Sequence, residues 1–359
     1  MMKYYNIIII GLGPAGSILA SSIKNKTILV IDKKNPNNSN EGFHKPCGGL
    51  LAPDAQKVLA ELSLSIPKSV VVDPQIFSVK TIDFDHHLER SYQRMYLNMN
   101  RHAFDCWLMS KIPNHVEKAT SCTVIKIDKN TEGQYVVTYK NEKNEFFSCE
   151  ADMVVGADGA SSILRHYLYP KAKYRYYTAI QQWFKNVDIK PVYSCIFDST
   201  ITDCYSWSIS KDDYLIFGGA YPSKNARTLF EEQKKKVSLK LQVDFSNAVK
   251  IEACLVMRPR LMKHFFLGHD QAFLIGEAAG FVSPSSLEGI SYAIKSAMIL
   301  AHIINGGNKS FHHQYQVETR KMRMTLYLKR IKCLFIYHPI LRKWVMKSGI
   351  RSIKVNEIV

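Results

Sequence analysis

The stretch Tyr4-Tyr5-Asn6-Ile7-Ile8-Ile9-Ile10-Gly11-Leu12-Gly13-Pro14-Ala15-Gly16 decides the fold. Tyr4–Ile10 has the apolar run of a buried strand, Pro14–Lys24 reads as a helix opened by a glycine-rich turn, and Thr27–Asp32 as a second apolar strand. A β-α-β unit is therefore expected within the first 32 residues. In Gly11-x-Gly13-x-x-Gly16 the first glycine permits the tight turn and the second lets a pyrophosphate approach the backbone. The third allows close helix–strand packing, and the helix N-terminus, with Pro14 and Ala15, favours the anion. Asp32 ends the second strand, where its carboxylate is expected to accept from adenosine ribose hydroxyls, with Lys33 beside it. This motif alone does not choose among dinucleotides.

The 359 residues, 46% hydrophobic and 22% charged, suit one elaborate globular domain or two interlocked ones. Eight cysteines are scattered singly, without a CxxC pair or a His/Cys cluster at metal-ligand spacing, so reduced thiols of a cytosolic protein and no metal are expected. Lys3 before an apolar stretch imitates a signal peptide, but the Gly-Pro-Ala-Gly break and the strand-like Thr27–Ile31 favour a folded unit. No apolar run approaches the roughly 20 residues of a membrane-spanning helix.

The formal charge of +17 is concentrated late: Arg320 to Lys354 holds eleven Lys or Arg and no Asp or Glu. A solvated or core-covering helical face explains such a run, and so does an anionic membrane surface met through residues 320–354. The interleaved Leu326, Leu328, Ile331, Leu334, Phe335, Ile336 and Trp344 suit lipid better than nucleic acid, which is not expected as a partner. The expected location is cytoplasmic, with peripheral attachment to the inner membrane face left open. Nothing specifies an oligomeric state.

Further helices are expected at Ala52–Leu62, Arg101–Ile112, Ala226–Gln242 and from about Leu287 to Ile304. Strands are expected at Thr123–Ile127, Gln134–Tyr139, Glu145–Cys149, Met153–Val155, Tyr193–Phe197, Cys204–Ile209, Tyr214–Ala220 and Ala272–Ile275. The fold class is α/β. Residues 1–77, 100–172 and 254–305 are expected to form a discontinuous dinucleotide-binding domain. Residues 78–99 and 173–253 are expected to form an antiparallel β-sheet substrate domain, and 306–359 a basic C-terminal helical segment.

Gly156-Ala157-Asp158-Gly159-Ala160-Ser161-Ser162-Ile163-Leu164-Arg165 resembles the GADGxxSxxR motif of the group A flavoproteins, which have the para-hydroxybenzoate hydroxylase fold. Gly276-Glu277-Ala278-Ala279-Gly280, continued by Pro284 and Glu288-Gly289-Ile290, resembles that family's second motif, with Glu277 in place of the usual Asp. Arg101 matches the arginine opening its RxxFD helix. The resemblance implies FAD, bound through these residues and the N-terminal glycines, with Glu277 accepting from ribityl hydroxyls at a helix start whose dipole faces the flavin.

Lys45-Pro46-Cys47-Gly48-Gly49 resembles the KPCGG loop of the geranylgeranyl reductase branch, which borders the flavin ring; Pro46, Gly48 and Gly49 are the implied contacts. Of that branch's YxWxFP motif only Tyr205 and Trp207 are present. Glu41-Gly42-Phe43, the run Lys45–Ala55, Pro74–Thr81, Cys204–Lys211 and Ile275–Tyr292 are similar to a family of bacterial geranylgeranyl-reductase-like proteins, the CbrA proteins.

The resemblance implies a reductase of carbon–carbon double bonds in a small apolar, isoprenoid-like substrate. Transient NAD(P)H, a ferredoxin or a flavodoxin would be the reductant. An FAD monooxygenase and a membrane-binding protein that holds FAD structurally remain alternatives. Candidate reacting residues are Cys47 and His44. Tyr205, Trp207, Phe217 and Tyr221, with Trp183 and Phe184, could line a substrate site, though packing of a sheet core gives the same aromatic pattern.

Overall fold

A computed structural model describes residues 2–36, 46–185, 193–307 and 310–355. The chain divides into two compact units. The first comprises Met1–His44, Phe104–Arg175 and Met257–Leu328, and the second Lys45–Ala103, Tyr176–Val256 and Lys329–Val359.

At the centre of the first unit, strand Lys3–Ile10 runs parallel to Ile28–Ile31 on one side and to Phe146–Gly156 on the other. Glu117–Ala119 and Ala272–Leu274 extend the parallel order outward. Ile7, Ile8, Ile9 and Ile10 are all buried, as a strand covered on both faces requires. Helix Pro14–Ser22 follows the first strand and completes the expected β-α-β unit, and helix Ile290–Asn305 packs against it.

Strands Thr123–Lys129 and Tyr135–Lys140 add an antiparallel meander whose third member is the long strand Phe146–Gly156. The separate strands expected at Glu145–Cys149 and Met153–Val155 are therefore one. Its first half pairs with Tyr135–Lys140 while its second half pairs with Lys3–Ile10. Ala151 meets both Tyr135 and Tyr5, so the polar interval between the two halves continues the ladder.

The second unit is a nine-stranded sheet. Its order is Ala248–Met257, Tyr176–Lys185, Tyr214–Pro222, Ser206–Lys211, Tyr193–Phe197, Ile76–Asp83, Leu88–Asn98 and Ser352–Ile353, with Leu50–Leu51 also paired to Leu88–Asn98. Helix Ala226–Leu241 covers one face: Phe230 and Val237 join Phe184, Phe217, Tyr221 and Phe245 in a buried cluster. A second cluster contains Tyr193, Ile209 and Ile216, with Trp183 and Trp207 packed against it.

These units divide the chain differently from the expected domains. Residues 46–77 group with the second unit because Leu50 and Leu51 pair with Asn98 and Leu97, and because strand Ile76–Asp83 lies inside that sheet. Strand Ala248–Met257 carries the sheet past residue 253. The C-terminal segment forms helices Phe311–Glu318, Arg320–Tyr337 and Pro339–Ser348, whose first part clusters with the first unit and whose remainder clusters with the second. Among the described residues no helix is long and apolar enough to cross a membrane.

Candidate functional site

Three glycine turns meet in the first unit. A β-carbon at position 16 would lie 1.8 Å from the Gly11 carbonyl oxygen, so only glycine lets the helix start this close to the strand end. Gly11 in turn abuts the Ala157 backbone, and Gly276 lies against Ala15: a β-carbon at 276 would sit 3.1 Å from that of Ala15. The Glu277 carboxylate faces Gly159, 3.7 Å from where its β-carbon would be. Position 13, by contrast, has open space: nothing lies within 4 Å of a β-carbon built there. Helix Pro14–Ser22 has no side-chain cap at Gly13, so its first N–H groups are left for an anion.

Asp32 is buried and oriented by backbone. Leu12 N–H donates to Oδ2 and Lys34 N–H to Oδ1 at 2.7 Å, which leaves lone pairs on both oxygens for further donors. Asp158 Oδ2 accepts from the Ile163 N–H at 2.8 Å, while Oδ1 is buried without a partner among the described residues. Burial pushes the Asp158 carboxyl above the ordinary carboxylate range, against the pull of the Ser162 and Ile163 donors and of the Arg165 charge. Glu277 Oε1 accepts from Met257 N–H at 3.0 Å.

Two residues missed as site candidates hold this arrangement. Arg165, fully buried, donates to the carbonyls of Ala278 at 2.8 Å, of Gly159 at 3.4 Å and of Ala160, and stacks on Tyr174 with 4.8 Å between guanidinium carbon and ring centroid. One side chain thus ties the Asp158-Gly159 turn to the Gly276–Ala279 turn. Lys34 pairs with Asp105 at 2.5 Å, both largely buried, joining the loop after strand Ile28–Ile31 to helix Arg101–Met109. The quoted GADGxxSxxR motif already contained Arg165, whereas only the fold brings Lys34 to Asp105.

The Gly276–Ala279 segment corrects one expectation. It is a short 3-10 turn that ends at Gly280, whose φ of +82° is left-handed, with Phe281 N–H bonded to the Gly276 carbonyl at 2.9 Å. The long helix begins only at Ile290, with Gly289 as an N-cap lacking a side-chain bond. The helix dipole therefore belongs to Gly289-Ile290 and not to Glu277.

In the second unit the Pro46–Gly49 loop lies over the sheet. A β-carbon at Gly48 would fall 2.4 Å from Ile209 Cδ1, and Gln181 Nε2 donates to the Cys47 carbonyl at 3.5 Å. Trp207 spreads over Gly218, and both the indole N–H of Trp207 and Oε1 of Gln181 are buried without a partner among the described residues. Glu252 accepts from Gln181 at 2.7 Å and Trp183 at 2.9 Å, with Lys250 at 2.8 Å on its other oxygen. Burial would raise its pKa, but these donors, Lys250 foremost, hold it below the ordinary value.

Beneath the loop is Lys211, which is 3% exposed. Its ammonium donates to Asn98 Oδ1 at 2.6 Å and to the carbonyls of Met99 at 2.7 Å and Gly49 at 3.3 Å. Burial lowers its pKa from 10.5 to about 8, partly offset by the charges of Cys47 and Asp212. Lys211 was not among the expected site residues, and only its place in a buried strand distinguishes it from other lysines.

The aromatic candidates separate by face. Tyr205 and Trp207 are half-buried, with ring centroids 5.7 Å apart. Phe217 and Tyr221 are fully buried against Phe230, at 5.6 and 6.0 Å. Phe217, Tyr221 and Phe184 are thus core beneath helix Ala226–Leu241, a correction forced by the two-residue alternation of strand Tyr214–Pro222. Arg101 opens its helix half-buried and Lys33 is exposed. His44 lies outside the described residues. None of the eight cysteines is joined in a disulfide, and among the described residues no group of three or more His, Cys, Asp or Glu is placed to hold a metal.

The fold is shared with solved flavoenzymes. A geranylgeranyl bacteriochlorophyll reductase-like protein from Thermoplasma acidophilum superposes with a TM-score of 0.74 at 17% identity, covering 97% of this chain and all of its own. A flavin-dependent brominase triple mutant gives a TM-score of 0.71 at 20% identity over 96% of this chain and 93% of its own. The Pseudomonas aeruginosa protein PqsL, in complex with 2-aminobenzoylacetate, gives 0.69 at 15% identity over 96% of this chain and all of its own. No protein-family model matches the sequence. Whole-chain relatives are much nearer: the CbrA proteins of Escherichia coli O157:H7 and strain K12 are 49% and 48% identical over 353 residues, each covering 98% of this chain and 99% of its own. With identity of that order along nearly its whole length, the chain belongs to the CbrA family.

Proposed function

We propose that this chain is an FAD-dependent oxidoreductase that reduces carbon–carbon double bonds of an apolar, isoprenoid-like substrate. The observation that carries the cofactor reading is the meeting of three glycine turns around open space at Gly13, with Asp32 oriented beside them and Asp158 Oδ1 left unpaired. These groups fit an FAD. Gly13 and the helix start at Pro14-Ala15 would receive the pyrophosphate, Asp32 the adenosine ribose, and Asp158, Glu277 and the Gly289-Ile290 helix start the ribityl and ring portions. Bound FAD would supply hydride transfer to an unsaturated carbon, its two electrons coming from NAD(P)H, a ferredoxin or a flavodoxin.

The chain's own residues orient, exclude water and provide the proton. Arg165 and Ser296 fix the Gly276–Ala279 turn, the latter by accepting from the Gly276 N–H at 2.9 Å. Lys211 holds the backbone at Gly49 and Met99. Ile209 lies against Gly48 of the Pro46–Gly49 loop, with Trp207 packed in the same cluster. Tyr205 and Trp207 are the proposed substrate-facing aromatics, and Cys47 and His44 the proposed proton donors to the carbon opposite the hydride.

Product analysis tests this reading. Under argon, dithionite-reduced protein mixed with geranylgeranyl-bearing lipid should yield lipid that has gained two hydrogens for each bond reduced. Unchanged lipid, with an oxygenated product appearing only after air is admitted to an aromatic substrate, would replace the reductase by a monooxygenase. A flavin that no donor reduces would leave FAD a structural role.

A further inference from the structure

We propose that the outward face of helix Pro339–Ser348 is a docking surface for an anionic lipid bilayer. The inward side of this helix carries a charge beside the buried Met346. Arg342, 4% exposed, donates to Asp83 Oδ1 at 2.9 Å and to Asp85. Its guanidinium carbon sits 5.1 Å from the Phe197 ring centroid. Asp83 is fully buried and also meets His86 Nδ1 at 3.0 Å. Burial pushes the Asp83 carboxyl up, but Arg342 and His86 outweigh it and hold it below the ordinary range. Arg90 donates to the Met346 carbonyl at 3.0 Å, and the following strand Ser352–Ile353 pairs with Tyr92 and Ser91. The helix is thus fixed to its sheet from below and behind.

What it turns outward is apolar and cationic. Ile340 and Trp344, one helical turn apart, are 57% and 72% exposed. Lys343 and Lys347, likewise one turn apart, join them and His86 around a groove of about 560 Å³. In the same unit Leu334 on the preceding helix and Ile350 after this one are also exposed. An exposed indole beside lysines matches the composition of interfacial helices, in which the ring enters the headgroup region and lysine stems lie along it with their ammonium groups outward.

Charge decides the occupant. Between Arg320 and Lys354 there are ten cations besides Arg342 and no carboxylate, and Arg342 takes up Asp83 and Asp85 on the inner side of the helix. A second copy would bring the same cations to the interface and be repelled. Phosphate headgroups attract them, while exposed isoleucine and leucine have no complement on a nucleic acid. This inference does not depend on the flavin chemistry.

The test is flotation of the full-length protein with phosphatidylcholine vesicles, with and without phosphatidylglycerol. The wild type should float with the anionic vesicles only and be released by high salt. I340S/W344S and K343E/K347E should each weaken binding by about tenfold or more, with unchanged melting and unchanged flavin content because all four side chains face outward. A wild type that stays unbound with anionic vesicles overturns the proposal. So do variants that float as the wild type does, which would move the contact elsewhere, and retention by DNA or self-association lost on K343E/K347E without any flotation.

Discussion

The Arg165 guanidinium donates to the Ala278 carbonyl at 2.8 Å, across 113 positions of sequence. Together with its bonds to Gly159 and Ala160 it closes two motifs around one centre, and it does so fully buried. Replacing it by Met should leave those carbonyls without a donor and cost roughly 3 kcal/mol, read as a lower unfolding midpoint in urea. Arg165→Lys keeps a charge but not the fork, and should release flavin more readily than wild type at intermediate cost.

Gly13 and Gly16 should respond differently to alanine. Gly16→Ala would drive a β-carbon into the Gly11 carbonyl and should give insoluble or grossly destabilised protein. Gly13→Ala meets open space at a φ of −70° and should fold with stability within about 0.5 kcal/mol of wild type. Its FAD affinity, measured by fluorescence titration, should fall about tenfold or more, because the added methyl stands where the pyrophosphate approaches.

Lys211 makes stability depend on pH with a defined sign. Its folded pKa of about 8 is below the ordinary 10.5, so between these values the unfolded chain binds more protons and stability rises with pH. Below pH 8 the slope vanishes, since both states are protonated. Wild type compared with Lys211→Met by urea unfolding should gain roughly 3 kcal/mol between about pH 7.5 and 10.5. A difference independent of pH over this range would show that the lysine is not titrating in place.

The aromatic residues divide into core and surface, and mutation should report it. Phe217→Ala empties a site among Phe230, Phe245 and Phe184 and should cost about 3–5 kcal/mol. Trp207→Ala removes a half-buried ring on the other face. It should cost less in thermal melting while raising KM for the proposed apolar substrate more than it lowers kcat.

Much of the first unit was legible because its strands are short apolar runs with glycine at their ends, and Ile7–Ile10 needs cover on both faces in any register. Strand Phe146–Gly156 was read as two because Glu150 and Asp152 break its apolar pattern, while the ladder it enters depends on partners more than 140 residues away in sequence. The hairpin Ile76–Asp83 with Leu88–Asn98 was hidden for a related reason. Sequences such as Glu89-Arg90-Ser91 alternate too weakly to announce a strand, and their place is set by pairing within the large sheet. The glycine motifs named the turns that meet in the first unit. Lys34, Lys211 and the inward turn of Arg342 were not visible, since a lysine or arginine reads as solvent-exposed until a fold buries it.

The most direct measurement of the central claim is the flavin content of the purified, fully folded protein, released by heat and identified by chromatography after incubation with excess FAD and gel filtration. The account predicts FAD, and not FMN, retained close to one per chain in wild type and lost in Gly13→Ala. Folded wild type that carries no FAD and takes up none would contradict it.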